Sequence, residues 1–168
     1  LKDYVRKNGF NKVVIGISGG IDSALVAAVA VNALGRRNVL GVAMPTSFNS
    51  QLSLDLAKKL SSNLGFILKD APIQEIFDKN LSYLEECIYG KTISDFTEEN
   101  LQARIRANIL MAISNKLGCL LISTGNKSEI SVGYSTLYGD AAGAIAILKD
   151  IPKTLVYELS KYYNLHNP

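Results

Sequence analysis

The segment that most constrains the fold of this chain runs over residues 13–23. An apolar, strand-forming run at 13–17 meets a short Ser/Gly loop, and a long helix pattern of Ala, Leu and Val follows at once. Glycines allow the backbone to approach a bound group closely, and the free N–H groups at a helix start favour negative charge. The hydroxyls of Ser18 and Ser23 add donors to the same place. We therefore hypothesise a loop that holds the phosphates of ATP; a plain strand-to-helix turn is the alternative.

The spacing of this loop differs from that of two common phosphate loops. No Lys follows Gly20, as a Walker A loop requires, and Ser18 stands where the dinucleotide fingerprint has its second glycine. The remaining pattern is S-G-G-x-D-S, with Asp22 in the first turn of the helix. Phosphates would repel this carboxylate, so we predict a Mg²⁺ ion that bridges them. Asp22 could also simply complement the helix dipole.

Alternating strand and helix patterns predict an α/β fold, a doubly wound parallel sheet with helices on both faces, Rossmann-like in type. The predicted strands are residues 12–17, 39–43, 66–69 and 119–123. The predicted helices are residues 2–8, 22–34, 52–64, 72–87 and 97–116, and a last helix is launched by residues 149–152 and runs to about residue 163. Residues 89–95 interrupt the periodicity, and residues 133–143, rich in Gly, Tyr, Ser and Thr, are expected to be mobile without ligand.

Three local signals predict where two of the helices begin and which face of the second is buried. Pro72 is expected at the first position of its helix, where the missing N–H costs nothing. Thr97 is expected to cap the next helix, whose buried stripe is predicted to contain Leu101, Ile105, Ile109 and Ala112.

The composition indicates one ordinary globular domain over residues 1–168. The chain has 48% hydrophobic and 20% charged residues, as soluble globular proteins do. Its net charge of +3 is too small to indicate nucleic acid as a partner. Cys87 and Cys119 lie in apolar sequence, which suits buried thiols and a cytoplasmic location. A single histidine, His166, cannot build a His-rich metal site or a Ser-His-Asp triad, and no apolar stretch is long enough to cross a membrane.

Both ends look cut. The first residue, Leu1, is not Met, and the chain stops directly after a helix pattern. We therefore expect a piece of a longer protein.

A second polar loop follows the predicted strand at 119–123. If both strand-end loops meet at one sheet edge, Asp22 and Glu129 can reach one Mg²⁺ from opposite sides, since this ion typically takes one or two protein carboxylates. Most loop carboxylates are merely solvated, which is the alternative for Glu129.

The S-G-G-x-D-S loop resembles the pyrophosphate-binding loop of the N-type ATP pyrophosphatases, a superfamily with the adenine nucleotide alpha-hydrolase fold. Further runs resemble NAD synthetase, and more narrowly the synthetase domain of its glutamine-dependent form. These runs are T-G-N-K-S-E at 124–129, V-G-Y at 132–134, T-L-Y-G-D at 136–140, L-K-D-I-P-K-T at 148–154 and E-N-L-Q-A-R-I-R at 99–106. Ammonia-dependent relatives carry Lys where this chain has Leu137, which favours the glutamine-dependent group.

The resemblance implies roles for particular residues. ATP would be bound by Gly16, Ile17, Ser18, Gly19, Gly20, Ile21, Asp22, Ser23, Thr124 and Lys153. Asp22 and Glu129 would ligate Mg²⁺, and Asp22, Glu129 and Lys153 would be catalytic. Asn100, Arg104, Glu129 and Asp140 would bind deamido-NAD. For Arg104 and Lys153 taken alone, a solvated charge is the plainer interpretation.

The implied reaction is the ATP-dependent amidation of deamido-NAD to NAD. The resemblance implies an acyl adenylate, release of pyrophosphate and AMP, and ammonia supplied directly or from glutamine by a domain outside this chain. It also implies a homodimer or larger homo-oligomer formed through residues 99–106. Two alternatives stay open: another member of the superfamily, such as GMP synthetase or a tRNA-modifying ligase, and a nucleotide sensor without turnover.

Overall fold

A five-stranded sheet, parallel throughout, forms the centre of the molecule. The computed structural model describes residues 1–88 and 96–166. The strands are β1 (Val13–Gly16), β2 (Val39–Ala43), β3 (Ile67–Asp70), β4 (Leu120–Ser123) and β5 (Ile145–Ala146). Their spatial order is β3-β2-β1-β4-β5. The predicted α/β class and the parallel sheet are therefore confirmed.

Both faces of the sheet are covered by helices. These are α1 (Lys2–Lys7), α2 (Ile21–Leu34), α3 (Gln51–Leu64), α4 (Gln74–Cys87), α5 (Phe96–Leu117), α6 (Lys127–Ser131) and α7 (Lys153–His166). Successive strand residues point to opposite faces. Val13 and Ile15 accordingly pack in a core with residues of α1, α2, α3 and α7. Val14 lies in a second core with residues of α4 and α5. The doubly wound arrangement is confirmed.

Two predicted helix starts were wrong by one or two residues. Pro72 lies outside α4, because Ile73 is fully buried and its N–H donates to the carbonyl of Pro45 before the helix begins at Gln74. Thr97 lies inside α5, which begins at Phe96, a shift within the usual uncertainty of helix ends. The interruption predicted at 89–95 lies outside the described residues.

Two burial predictions were only partly right. The predicted stripe of α5 is confirmed at Leu101, Ile105 and Ile109, which pack in the second core, but the packed face continues through Leu110 and Ile113 and leaves Ala112 exposed. Cys119 is buried, whereas Cys87 is exposed at the end of α4. Burial raises the pKa of the Cys119 thiol, because desolvation disfavours the thiolate.

Two short elements near the C-terminal half were not predicted. Strand β5 is two residues long, and α6 spans five residues within what sequence suggested was a loop. Neither is long enough to produce a periodic pattern. Within residues 1–88 and 96–166, no helix has the length and apolarity needed to cross a membrane.

The topology places a crevice beside β1. The chain moves from β1 outward to β2 and β3, and then returns to lay β4 on the other side of β1. Ligands of open α/β sheets bind at the carboxyl ends of the strands where the order reverses. Here that point lies between β1 and β4, which end at Gly16 and Ser123.

Candidate active site

The loop after β1 is held together by its own serines. Ser23 is buried, and its hydroxyl donates to the carbonyl of Gly20 at 3.0 Å and lies 3.1 Å from the hydroxyl of Ser18. The N–H of Gly20 donates to Ser18 Oγ at 3.1 Å, and the N–H of Ser18 to Ser23 Oγ at 3.3 Å. Ser23 therefore fixes the loop from inside, while the exposed Ser18 lines the cleft above the sheet.

Gly19 must be glycine for two reasons. Its φ is +83°, in the region where a Cβ is strained. A Cβ at this position would also lie 2.3 Å from the carbonyl oxygen of Ser53, in the first turn of α3. The start of α3 is thus pressed against the loop, so two helix N-termini, those of α2 and α3, lie beside it.

Asp22 is held between two side chains that are distant in sequence. Its Oδ1 accepts a hydrogen bond of 3.0 Å from Asn126 Nδ2, and its Oδ2 forms an ion pair with Lys153 Nζ. The side chains of Asp22 and Lys153 are 16% and 36% exposed, and the ammonium lies 5.7 Å from the centre of the Tyr157 ring. We call Asp22, Asn126 and Lys153 the Asp22 corner.

Glu129 is connected to this corner through Asn126. Its Oε2 accepts from the N–H of Asn126 at 3.0 Å, while the N–H of Glu129 donates to Asn126 Oδ1 at 3.0 Å. This reciprocal pair is a capping box at the start of α6. The structure therefore brings the two predicted metal ligands, Asp22 and Glu129, into hydrogen-bond contact with one asparagine.

The oxygen ligands present here suit Mg²⁺. Within the described ranges, no cluster of three or more His, Cys, Asp or Glu side chains is arranged to hold a metal ion. Mg²⁺ usually needs only one or two protein carboxylates, because phosphates and water supply its other ligands. Asp22 Oδ2 already faces a cation, the Lys153 ammonium, so positive charge is favoured at this oxygen.

A cleft of about 310 Å³ opens beside the loop, between the carboxyl ends of β1, β2 and β4 and the side of α5. Ser18 and Thr124 are among the polar residues that line it. Its walls are mostly apolar, formed by Ala43, Met44, Pro45, Leu54, Ala107, Leu110, Leu121, Ile122 and Ala142. A mostly apolar cleft next to a glycine-containing loop at a helix N-terminus has the polarity of a site for a nucleoside whose phosphates reach the loop.

Arg106 lines this cleft, although sequence reasoning gave it no role of its own. Its Nε donates to the carbonyl of Met44 at 3.1 Å and its Nη2 to Gln102 Oε1 at 3.2 Å. Burial lowers the pKa of the guanidinium, because desolvation disfavours the charged form. The available signal was an arginine four residues after Gln102 and directly after Ile105 of the predicted buried stripe.

Three of the four predicted dinucleotide ligands lie where α5 meets the loop at 132–140, which we call the outer loop. The fourth, Glu129, lies instead beside Asn126 of the Asp22 corner. Asn100 Oδ1 accepts from the Thr136 hydroxyl at 2.8 Å, and Arg104 Nε donates to the carbonyl of Leu137 at 3.2 Å. The carboxylate of Asp140 accepts from the N–H of Thr136 at 2.7 Å. Asn100, Arg104 and Asp140 therefore form one group, separate from the Asp22 corner, and each anchors the outer loop.

Comparison with known proteins identifies the family. A family model described as NAD synthase matches residues 1–168. The chain belongs to the NAD synthase family. The glutamine-dependent NAD(+) synthetase of Thermotoga maritima is 54% identical over 164 residues, which cover 98% of this chain and 28% of that protein. The chain spans less than a third of the length of the curated relatives that it matches.

Solved structures of the NAD synthase family share this fold. The glutamine-dependent NAD+ synthetase from Acinetobacter baumannii, in complex with adenosine diphosphate, superposes with a TM-score of 0.92 and 48% identity over 96% of this chain and 30% of that one. The NH3-dependent NAD synthetase from Campylobacter jejuni superposes with a TM-score of 0.89 and 36% identity, covering 98% of this chain and 69% of that one.

Proposed function

We propose that this chain is the part of a NAD synthetase that cleaves ATP and forms the amide bond. The observation that carries the proposal is the Asp22 corner. It sets a carboxylate, a lysine and a helix N-terminus beside a glycine-containing loop at the point where the strand order reverses. A carboxylate beside an anion-binding loop would repel bare phosphates, so this arrangement suits phosphates that are bound together with a cation. Membership of the NAD synthase family supports the same activity.

The proposed reaction has two steps. An oxygen of the nicotinate carboxylate of deamido-NAD attacks the α-phosphorus of ATP. The bond from that phosphorus to the oxygen bridging it to the β-phosphorus breaks, and pyrophosphate leaves. Ammonia then attacks the acyl carbon of the adenylate, AMP leaves, and a proton is released as the amide of NAD forms. The first step is needed because a free carboxylate is a poor acyl donor and AMP is a good leaving group.

The loop and the two neighbouring helix ends would bind the departing pyrophosphate. In this proposal, residues 16–23 contact ATP, with backbone N–H groups and the α2 dipole directed at the phosphates. Such preorganised donors stabilise negative charge as it develops. Thr124 would contact ATP from the end of β4, and Lys153 would place its ammonium on the phosphates.

Asp22 and Glu129 would hold Mg²⁺ in this site. When bound, Mg²⁺ neutralises charge on the phosphate oxygens and favours departure of pyrophosphate. Asp22 supplies an oxygen that is already paired with a cation, and Glu129 accepts a hydrogen bond from the N–H of Asn126. The adenosine part of ATP would occupy the apolar cleft, whose volume of about 310 Å³ is at the lower end of small-molecule sites.

The outer loop and α5 would bind deamido-NAD. Asn100, Arg104 and Asp140 form one polar group there, and Glu129 would face the substrate as well as the metal. We also propose a homodimer or larger homo-oligomer that uses residues 99–106, a cytoplasmic location, and ammonia that comes directly or from glutamine through a domain outside this chain.

A substrate panel tests this function. The full-length protein is incubated with ATP, Mg²⁺ and ammonia, and pyrophosphate release is followed after adding deamido-NAD, xanthosine monophosphate or tRNA in turn. We expect release with deamido-NAD alone. Release triggered by xanthosine monophosphate or tRNA and not by deamido-NAD would contradict the proposal, and ATP binding with no AMP formed under any condition would indicate a sensor.

A further inference from the structure

Asn126 joins the two proposed metal ligands through a completely buried side chain. Its relative exposure is 0%, and every polar atom of the amide is engaged at hydrogen-bond distance. Nδ2 donates to Asp22 Oδ1 across 104 residues of sequence, and Oδ1 accepts from the N–H of Glu129, both at 3.0 Å. Its own N–H donates to the Glu129 carboxylate at 3.0 Å. One residue therefore touches both acids.

The two oxygens of Asp22 have partners of different kinds. Oδ1 is bound by a neutral amide that is sealed from water, so that contact has no competing solvent. Oδ2 is bound by Lys153, whose long side chain is one-third exposed and can move away. The amide thus restrains the carboxylate through Oδ1, and Oδ2 is the oxygen that a cation would reach by replacing the ammonium.

Few side chains could make both hydrogen bonds that the Asn126 side chain makes. Such a side chain must donate to a carboxylate and accept from a backbone N–H at the same time, and it must stay neutral so that it does not repel Asp22. Asparagine does both with one planar amide, whereas Ser and Thr can cap the helix but are too short to reach Asp22 as well, and Asp cannot donate when ionised. A helix cap alone would not need an amide.

We propose that Asn126 is the positioning residue of the nucleotide site: it orients Asp22 toward the metal-bound phosphates and ties that orientation to the placement of Glu129. The inference rests on the proposed function, because it takes Asp22 as a Mg²⁺ ligand. It adds a residue that touches neither metal nor nucleotide and acts through both carboxylates.

The test separates helix capping from the orientation of Asp22. Asn126→Thr and Asn126→Ser keep an oxygen that can cap α6 and remove the donor to Asp22. In the full-length protein, calorimetry measures binding of an ATP analogue with a methylene group between the α- and β-phosphorus atoms, over a range of Mg²⁺ concentrations. The line shape of Mn²⁺ in electron paramagnetic resonance gives an independent readout of the metal environment.

We expect both variants to raise the Mg²⁺ concentration for half-maximal analogue binding by about tenfold or more, as loss of a partner behind a metal ligand usually does. Binding in the absence of divalent cations should be unchanged. The matched control is Ser114→Ala, which removes another buried hydrogen bond, from Ser114 Oγ to the carbonyl of Cys119 at 2.6 Å. It should lower thermal stability without changing the dependence on Mg²⁺.

Wild-type dependence on Mg²⁺ and an unchanged Mn²⁺ spectrum in either folded variant would overturn the inference and leave Asn126 as a helix cap. Having two variants guards against one that fails to fold. If the wild-type protein itself binds the analogue with no response to Mg²⁺, the metal role in the proposed function fails as well, so the two failures are distinguishable.

Discussion

The Asp22 corner and the outer loop lie at the same edge of the sheet and are built in opposite ways. In the corner, Asn126 is 0% exposed, and the side chains of Asp22 and Lys153 are 16% and 36% exposed. In the outer loop, large apolar side chains face solvent: Val132 is 77%, Tyr134 74% and Tyr138 78% exposed. Tyr138 also has a φ of +62°, which is uncommon for a residue other than glycine.

This difference indicates a division of labour. Within the described residues every buried side-chain polar atom has a hydrogen-bond partner, and Asp22 already contacts both Asn126 and Lys153. The corner is therefore suited to binding a nucleotide with little rearrangement. The outer loop has few buried contacts, which is typical of segments that order on ligand binding. We expect changes in the corner to alter ATP chemistry and changes near the outer loop to alter use of the dinucleotide.

The largest effect, on the free energy of unfolding, is expected from adding a methyl group to the loop after β1. Gly19→Ala places a methyl group 2.3 Å from the Ser53 carbonyl at a φ of +83°. Strain and overpacking together should lower the free energy of unfolding by about 3 kcal/mol or more. Gly118→Ala is the control, since its φ is +59° and nothing lies within 4 Å of the added atom. Urea unfolding measures both; equal losses would show that the loop is not packed as described.

Removing the acid of the corner should abolish much of the activity without unfolding the protein. Asp22→Asn keeps the shape of the side chain but not its charge, and we expect the rate of pyrophosphate release to fall at least about tenfold, which corresponds to about 1.4 kcal/mol in the barrier. Asp3→Asn, on the exposed first turn of α1, is the control. Wild-type turnover in Asp22→Asn would eliminate its proposed metal role.

A substitution at Arg104 tests the role of the outer loop. Arg104→Ala removes an exposed guanidinium at the base of the outer loop, so we expect KM for deamido-NAD to rise by about tenfold, the scale of one lost charged hydrogen bond. The KM for ATP should change little. Arg37→Ala, at an exposed position two residues before β2 and so at the amino ends of the strands, should change neither KM. A rise confined to the KM for ATP would place Arg104 in the wrong half of the site.

The smallest effect is expected in the unmutated protein, as a change in the hydrogen-exchange protection of its backbone amides. Hydrogen exchange of backbone amides at 133–143 should slow when ATP and deamido-NAD are both bound, because the exposed segment becomes ordered. The amides of Ser18 and Gly20 already donate to serine hydroxyls and should change less. Unchanged exchange at 133–143 with both ligands present would contradict the expected ordering.

The sequence was sufficient for the features that depend on local pattern. The apolar run ending at Gly16 and the Ala-rich helix that begins near Asp22 predicted β1 and α2 to within one residue, because continuous apolar runs bounded by glycines mark both elements locally. Two-residue β5 and five-residue α6 escaped prediction, since a strand or helix of that length leaves no period. Cys87 is exposed although its neighbours in sequence are apolar, because burial depends on tertiary packing and not on adjacent residues.

The composition of the site was only partly predictable. Asp22 and Glu129 could be proposed as a pair from chemistry and resemblance, but their link through Asn126 is a contact across 104 residues. Lys153 was expected near phosphates, and its ion pair with Asp22 follows from how the start of α7 packs beside α2. Arg106 enters the cleft through the position of α5 over the sheet, which no short motif encodes.

The central claim is that the Asp22 corner supports cleavage of ATP between its α- and β-phosphates. Phosphorus NMR of the reaction of the full-length protein with ATP, Mg²⁺, deamido-NAD and ammonia tests it most directly. The account predicts AMP and pyrophosphate in equal amounts, formed only when deamido-NAD is present and strongly reduced in Asp22→Asn. Formation of ADP and inorganic phosphate, or equal turnover without deamido-NAD, would contradict it.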